Sequence, residues 1–372
     1  MNEAVLETVK TEAPSFAPLS LAAFQKVRAF MGVRMEAPQY LTVRLREGRL
    51  FLFRWNFHGF AELSFPFPGE APREAGLDPE ALRGLLERLP APPALGFEGK
   101  DLVLRLGRFR ARLYGDEPHA EEELPPFSAQ VLTSELKRAL ALVPPHGGKP
   151  SDLNLVFVPY RGGFAVVATS GYTLGAYLFP ETGALPLTVL EGAQVRLLSA
   201  FLEVAPQVVR LGKGDGVLAL SGAQGPFAFA AGTWLPKGLS GYREEPGYVP
   251  QAVNRYLVEA KRPYRSVVKA RDLAKAVKGK EESLLLLRAA SGVLEVVPAK
   301  GGAGARVPAI FPKAWEGQVK AWGKNLALAL KGFSERVTLA LDEERKTLAL
   351  FPAEEREGRG LVTVVGLVEK ET

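Results

Sequence analysis

His58, His119 and His146 are the only histidines in this chain of 372 residues. No two of them lie at a spacing that would hold a metal ion. As candidate general bases they are better accounted for as surface or turn residues. Cysteine is absent, which excludes disulfides, thiolate nucleophiles and Cys-based metal sites. Gly212-Lys213-Gly214-Asp215-Gly216 has the composition of a phosphate loop. It lies between two strand patterns, however, and lacks the helix whose N-terminal amides would hold a phosphate. It reads as a hairpin turn, and Gly301-Gly302-Ala303-Gly304 reads as a connector. The acidic pairs Glu122-Glu123, Glu244-Glu245 and Glu343-Glu344 fall beside prolines or in turns, where carboxylates are solvated. No carboxylate cluster suited to a nuclease or nucleotidyl transferase can be assembled. The expectation is a protein that is not an enzyme, with no metal and no cofactor.

Cations are more informative. Lys26, Arg28 and Arg34 accompany an early helix pattern, and Lys137, Arg138 and Lys149 accompany a second. Lys269, Arg271, Lys275, Lys278 and Lys280 accompany a third. Taken singly, each group is equally an ordinary solvated helix face. Recurrence at equivalent positions favours a surface lined with cations that meets phosphates. No base-reading motif is visible, so contact with duplex DNA is expected to be independent of sequence.

The elements carrying these residues repeat. Prolines with acidic flanks mark two joints, at Glu122-Glu123-Leu124-Pro125-Pro126 and at Glu244-Glu245-Pro246 running to Tyr248-Val249-Pro250. Three blocks result: 1–124, 125–250 and 251–372. Each reads as strand, short amphipathic helix, a pair of strands, second helix and closing strands. In the first, Leu21, Phe24, Val27 and Met31 have helical spacing, and Asp78-Pro79-Glu80 supplies a cap and proline for a helix bearing Leu82, Leu85, Leu86 and Leu89. In the second, Thr133-Ser134-Glu135 opens a helix, and Val195, Leu198 and Leu202 line another. In the third, Leu273 and Val277, then Leu326 and Leu330, are periodic. The fold class expected is α+β: three pseudo-repeated domains, each with two helices packed on antiparallel sheets.

A formal charge of +6 and a pI near 9.3 permit a polyanionic partner, although the charge is spread along the chain rather than gathered in a basic tail. No apolar run reaches the ~20 residues of a membrane helix, and the N-terminus lacks signal-peptide character, so a cytoplasmic location is expected. Few Asn, no Cys and abundant Ala, Leu, Arg, Glu and Pro would suit a thermophile, or a high-GC coding bias.

Two segments carry a resemblance. Phe164-Ala165-Val166-Val167-Ala168-Thr169-Ser170-Gly171-Tyr172-Thr173-Leu174-Gly175-Ala176-Tyr177 is similar to the second-domain stretch of the bacterial DNA polymerase III β sliding clamp family, where a strand runs into Ala-Thr-Asp-Gly-His-Arg-Leu-Ala. Gly241-Tyr242-Arg243 leading to Tyr248-Val249-Pro250 resembles the family's Phe-Pro-Asp-Tyr-Arg-Arg-Val-Leu-Pro segment. The resemblance implies a head-to-tail homodimer: a six-domain ring, helices inside and sheets outside, that encircles duplex DNA. It also implies a pocket for short peptide motifs of polymerases, clamp loader and repair proteins. Its floor would be Thr169, Gly171, Tyr172, Thr173 and Leu174, one wall Ser240, Tyr242, Arg243 and Glu244, and another Leu367 and Val368.

The chain departs from the family in ways that bear on function. The family's Asp-His-Arg becomes Ser170, Tyr172 and Thr173 around Gly171, a proline becomes Ser240, and an arginine and valine become Glu244 and Glu245. The ending Val368-Glu369-Lys370-Glu371-Thr372 replaces a short apolar-basic one, and the net charge is basic where family rings are acidic. The strand around Ala111 and Leu113 and the helix end at Val277-Lys278 are less apolar than a ring interface needs. A divergent clamp is expected, a paralogue or a viral or plasmid member, with altered partner specificity. Two readings stand: a processivity ring that tethers polymerase or repair partners, and a clamp-derived, monomeric interaction protein of replication that does not encircle DNA.

Overall fold

Strand, helix, four strands, helix, three strands is the order of elements in the first third of the chain, and that order recurs twice more. The computed structural model describes residues 16–69, 72–118, 123–143, 145, 155–170, 172–235, 248–354 and 358–368. The first series is β1 (Ala17–Pro18), α1 (Leu21–Gly32), β2 (Tyr40–Arg46), β3 (Arg49–Asn56), β4 (Gly59–Pro66), β5 (Arg73–Leu77), α2 (Pro79–Arg88), β6 (Ala94–Glu98), β7 (Asp101–Leu106) and β8 (Phe109–Leu113). The second is β9 (Ala129–Leu132), α3 (Thr133–Leu142), β10 (Leu155–Tyr160), β11 (Gly163–Thr169), β12 (Thr173–Phe179), β13 (Thr188–Leu190), α4 (Gly192–Leu202), β14 (Val208–Gly214), β15 (Val217–Gln224) and β16 (Phe227–Trp234). Helix α5 (Tyr248–Val253), continued by a π-helical turn Asn254–Val258, precedes the third. That series is β17 (Tyr264–Lys269), α6 (Ala270–Val277), β18 (Leu284–Ala290), β19 (Val293–Pro298), β20 (Ala305–Lys313), β21 (Gln318–Trp322), α7 (Gly323–Ala329), β22 (Arg336–Asp342), β23 (Thr347–Pro352) and β24 (Gly360–Gly366).

Local chemistry accounts for the helices. Ser20 caps α1 by accepting from the Ala23 amide at 3.1 Å, and Asp78 caps α2 by accepting from the Glu80 amide at 3.0 Å. Pro79 then occupies a helix position where no amide donor is needed. Ala23, Phe24, Val27, Phe30 and Met31 of α1 are buried, as are Leu82 and Leu86 of α2. The two helices of each series pack on each other: α1 on α2, α3 on α4, and α6 on α7. Paired strands are antiparallel throughout the described ladders. The fold is α+β, with the repeated helix-and-sheet pattern that the sequence predicts.

Compactness divides the chain into two units. The first holds residues up to Glu123 together with Gly222–Ala231. Its sheets are β1-β6-β7-β8 and β5-β2-β3-β4, with residues 227–231, the first part of β16, beside β4. The second unit holds Leu124–Ser221 and Gly232–Thr372. It contains a twelve-stranded sheet in the order β13-β10-β11-β12-β24-β23-β22-β17-β20-β19-β18-β21, and a ladder in which β14 lies between β9 and β15. One core in this unit joins α6 and α7 to β18–β20 and β22–β23, through Leu273, Val277, Leu287, Val296, Leu326 and Leu339.

The structure has more strands per series than the paired-strand expectation. Every residue of β12 is buried, so it lacks the in-out alternation by which strands are recognised. The Gly212–Gly216 run does form a hairpin: Gly214 pairs with Val217, and Gly216 sits at φ 75° where a side chain would be strained. Among the described residues no helix is long and apolar enough to cross a membrane.

Candidate nucleic-acid interface and peptide site

Strand β17 runs straight into α6, so Lys269 closes the strand and caps the helix, and Arg271 lies in the first helical turn. Burial of Ala270, Leu273, Ala276 and Val277 turns the opposite face outward, and Arg271, Lys275 and Lys278 are exposed on it. Lys269 is also the cross-strand partner of Arg336 on β22. Lys269, Arg271, Lys275 and Arg336 therefore line one open cavity of about 560 Å³, with Asp272, Ser334, Glu335 and Glu354. Four cations face three carboxylates there. Like charges directly opposite on neighbouring strands are unfavourable unless something negative shares them. Lys278 lies beyond the end of α6 and is not among the lining residues, while Lys280 turns its Nζ back to the Ala276 carbonyl at 2.8 Å.

The other predicted cations are partly engaged within the chain. Lys26 donates to Gln224 Oε1 at 2.8 Å, Arg28 donates to the Glu87 carbonyl at 3.5 Å, and Arg34 is exposed just past α1. Lys137 pairs with Glu203 at 2.9 Å, and Arg138 lies 6.0 Å from the Tyr177 ring centroid. Exposed pairs of this kind are worth little and yield readily to a competing anion. Lys149 lies outside the described residues. Arg336 was not legible as a member of the cluster, because only the β17–β22 register brings it there.

Half of the predicted peptide site is brought together by one strand pairing. β12 pairs with β24 from Thr173↔Val365 to Leu178↔Gly360, and the Gly366 amide donates to the Tyr172 carbonyl at 3.1 Å. Thr169 Oγ1 donates to the Thr173 carbonyl at 2.9 Å, and the Ser170 and Thr173 hydroxyls are 3.0 Å apart. These bonds fix the turn before β12. The Leu367 amide donates to the Lys346 carbonyl at 2.8 Å and the Val368 amide to the Lys320 carbonyl at 2.9 Å, which hold the tail against its own sheet. Tyr172 is 71% exposed, Leu367 and Val368 are half-buried, and Leu174 is buried in the core. Gly171, Ser240, Tyr242, Arg243 and Glu244 lie outside the described residues.

His58 sits at the turn between β3 and β4, with its Nε2 3.1 Å from Glu36 Oε2. His119 and His146 lie outside the described residues.

No family model matches the sequence, and no curated protein matches it. Solved structures do. The DNA polymerase III subunit β of Pseudomonas aeruginosa matches with a TM-score of 0.67 at 16% identity, covering 96% of this chain and 100% of that one. The β subunit of Thermotoga maritima matches at 0.64 and 12% identity, over 95% and 99% of the two chains. The β sliding clamp of C. crescentus matches at 0.64 and 15%, over 94% and 96%. The chain has the fold of the bacterial DNA polymerase III β sliding clamps along nearly its whole length.

Proposed function

We propose that this protein is a clamp-type scaffold of DNA replication, which holds duplex DNA without reading its sequence and tethers polymerase or repair partners through short peptide segments. It performs no covalent chemistry and works in the cytoplasm. Its three domains are 1–124, 125–250 and 251–372. The observation that carries the reading is the cation cluster on α6 and β22, set in a chain with the fold of sliding clamps. Lys269 and Arg336 face each other across a ladder with Arg271 and Lys275 beside them, four cations against the three carboxylates of the same cavity, and a phosphate backbone would balance the excess. Lys26, Arg28, Arg34, Lys137, Arg138, Lys149 and Lys278 are the further contacts of this reading. Exposed Tyr172 with half-buried Leu367 and Val368 offers apolar surface to a peptide's aromatic or leucine anchor.

In the first assembly reading, two copies close head to tail around DNA, and a clamp loader opens them. The decisive experiment compares retention on nicked circular and on linear duplex at raised salt. A closed ring stays on the circle and runs off the linear molecule. Equal loss from both argues against topological linkage. A second reading is a monomer that does not encircle DNA, and it is favoured by β20, which already pairs with β17 at Val267↔Ile310 and Val268↔Ala309 and carries Pro308.

A further inference from the structure

Seven charged side chains line the cavity at α6 and β22, and among the described residues none of them is in an ion pair. Exposed cations elsewhere on the chain do find carboxylates. Lys137 meets Glu203 at 2.9 Å, Arg306 meets Glu295 at 3.1 Å, and Arg359 meets Glu135 at 3.6 Å. In the cavity the two signs stay apart and open to solvent.

The backbone brings the carboxylates in. The Ala270 amide at the start of α6 donates to the Glu335 carbonyl at 2.7 Å, and the Ala353 amide donates to the Arg336 carbonyl at 3.1 Å. These bonds set Glu335 and Glu354 beside Arg336, while Asp272 follows Arg271 in the first turn of α6. Asp272 is accounted for by its helix, whose N-terminal end favours a carboxylate. Glu335 and Glu354 are exposed, cap no helix and, among the described residues, pair with no cation. The fold gains nothing from a negative charge at either place.

The effect of these carboxylates falls on whatever enters the cavity. A phosphate there feels all seven charges, because salt screens only over ~10 Å at 0.1 M. The four cations alone would hold it firmly, and the three carboxylates leave a single net positive charge. Contact through phosphates lets a protein slide along a duplex, and sliding needs each contact to release as the next one forms. We infer that Asp272, Glu335 and Glu354 restrain the grip of this cavity on a phosphate backbone, so that the chain stays in contact with a duplex and still moves along it. The inference rests on reading the cavity as the place where duplex DNA is held.

Fluorescence anisotropy of the full chain with a labelled duplex, over a range of salt, tests it. Asp272→Asn/Glu335→Gln/Glu354→Gln should bind roughly tenfold tighter at low salt, a gain that fades as salt screens the cavity. Glu335→Gln/Glu354→Gln, which leaves α6 unaltered, should move the same way by a smaller factor. A double variant that binds as the unaltered chain does overturns the inference, since those two residues carry it. Glu181→Gln/Glu191→Gln/Asp215→Asn adds the same charge as the triple variant but outside the cavity, and should alter affinity by less than about twofold. An equal gain there would make the effect one of net charge and would also overturn it. Charge reversal of Lys269, Arg271, Lys275 and Arg336 tests the underlying reading. If reversal weakens binding and the triple variant leaves it unchanged, the cavity holds DNA and the inference alone falls. If neither alters binding, the duplex lies elsewhere and both fall.

Discussion

Arg54, in the middle of β3, donates through Nη1 to the carbonyl oxygen of Phe30, 2.7 Å away at the end of α1. Its Nη2 donates to the Val33 carbonyl at 3.0 Å and to Gln39 Oε1 at 2.7 Å. The side chain is only 2% exposed. A buried cation thus satisfies carbonyls that a helix end leaves without intrahelical donors. Replacing it with Leu strands those acceptors, and a loss of roughly 1.5–3 kcal/mol of stability is expected from the charged hydrogen bonds removed. Urea unfolding of Arg54→Leu checks this. Burial pushes the guanidinium down to about 10, so it stays cationic at neutral pH and adds no pH dependence there.

Acid should loosen the β7–β8 region through Asp101. The Gly115 amide, then Arg112, hold its carboxyl below the usual carboxylate range. A depressed folded value means that the contribution is complete above the unfolded value of 3.8 and is lost as pH falls through the lower, folded one. Asp101→Asn should flatten the acid limb of the stability curve. An unchanged limb would remove Asp101 from the account.

Binding to a duplex should weaken as Lys269, Arg271, Lys275 and Arg336 are reversed in charge. Each phosphate contact removed lowers the slope of log affinity against log salt by roughly 0.9. A quadruple reversal that leaves both slope and affinity intact places DNA elsewhere on the chain.

Peptide binding should depend on Tyr172, whose exposure makes its removal harmless to the fold. Tyr172→Ala is expected to weaken a clamp-binding peptide about tenfold, or ~1.4 kcal/mol. Glu244 and Glu245 should favour peptides with basic flanks over acidic ones, and Glu244→Arg should reverse the preference. Calorimetric titration reads both. An unaltered preference defeats the charge account, and no binding by any of these proteins means the site is not a peptide site.

Anchoring of the cationic helix is set by Leu273, which is fully buried between α6 and the sheet. Leu273→Ala should cost about 2–5 kcal/mol by leaving a cavity. Thermal unfolding checks it, and a smaller shift would mean that α6 collapses into the space.

Hydrophobic periodicity, caps and turn residues in the sequence determine the helices and many strands, because each depends on neighbours a few residues away. Asp78-Pro79 starts α2, and Leu273 with Val277 faces α6 inward, without reference to any distant residue. The threefold order of elements follows from the same local signals. β12 escapes them because both of its faces are buried, which erases the alternation that marks a strand. Three features were decided only by long-range register. Arg336 meets Lys269 because β22 pairs with β17 at that offset, and Tyr172 meets Gly366 because β12 pairs with β24. Pro308 turns its backbone away from β19 because the Ala309 amide next to it points toward Gly292. Register is a relation between stretches of chain that lie far apart, and shifting it by one residue turns every side chain to the other face.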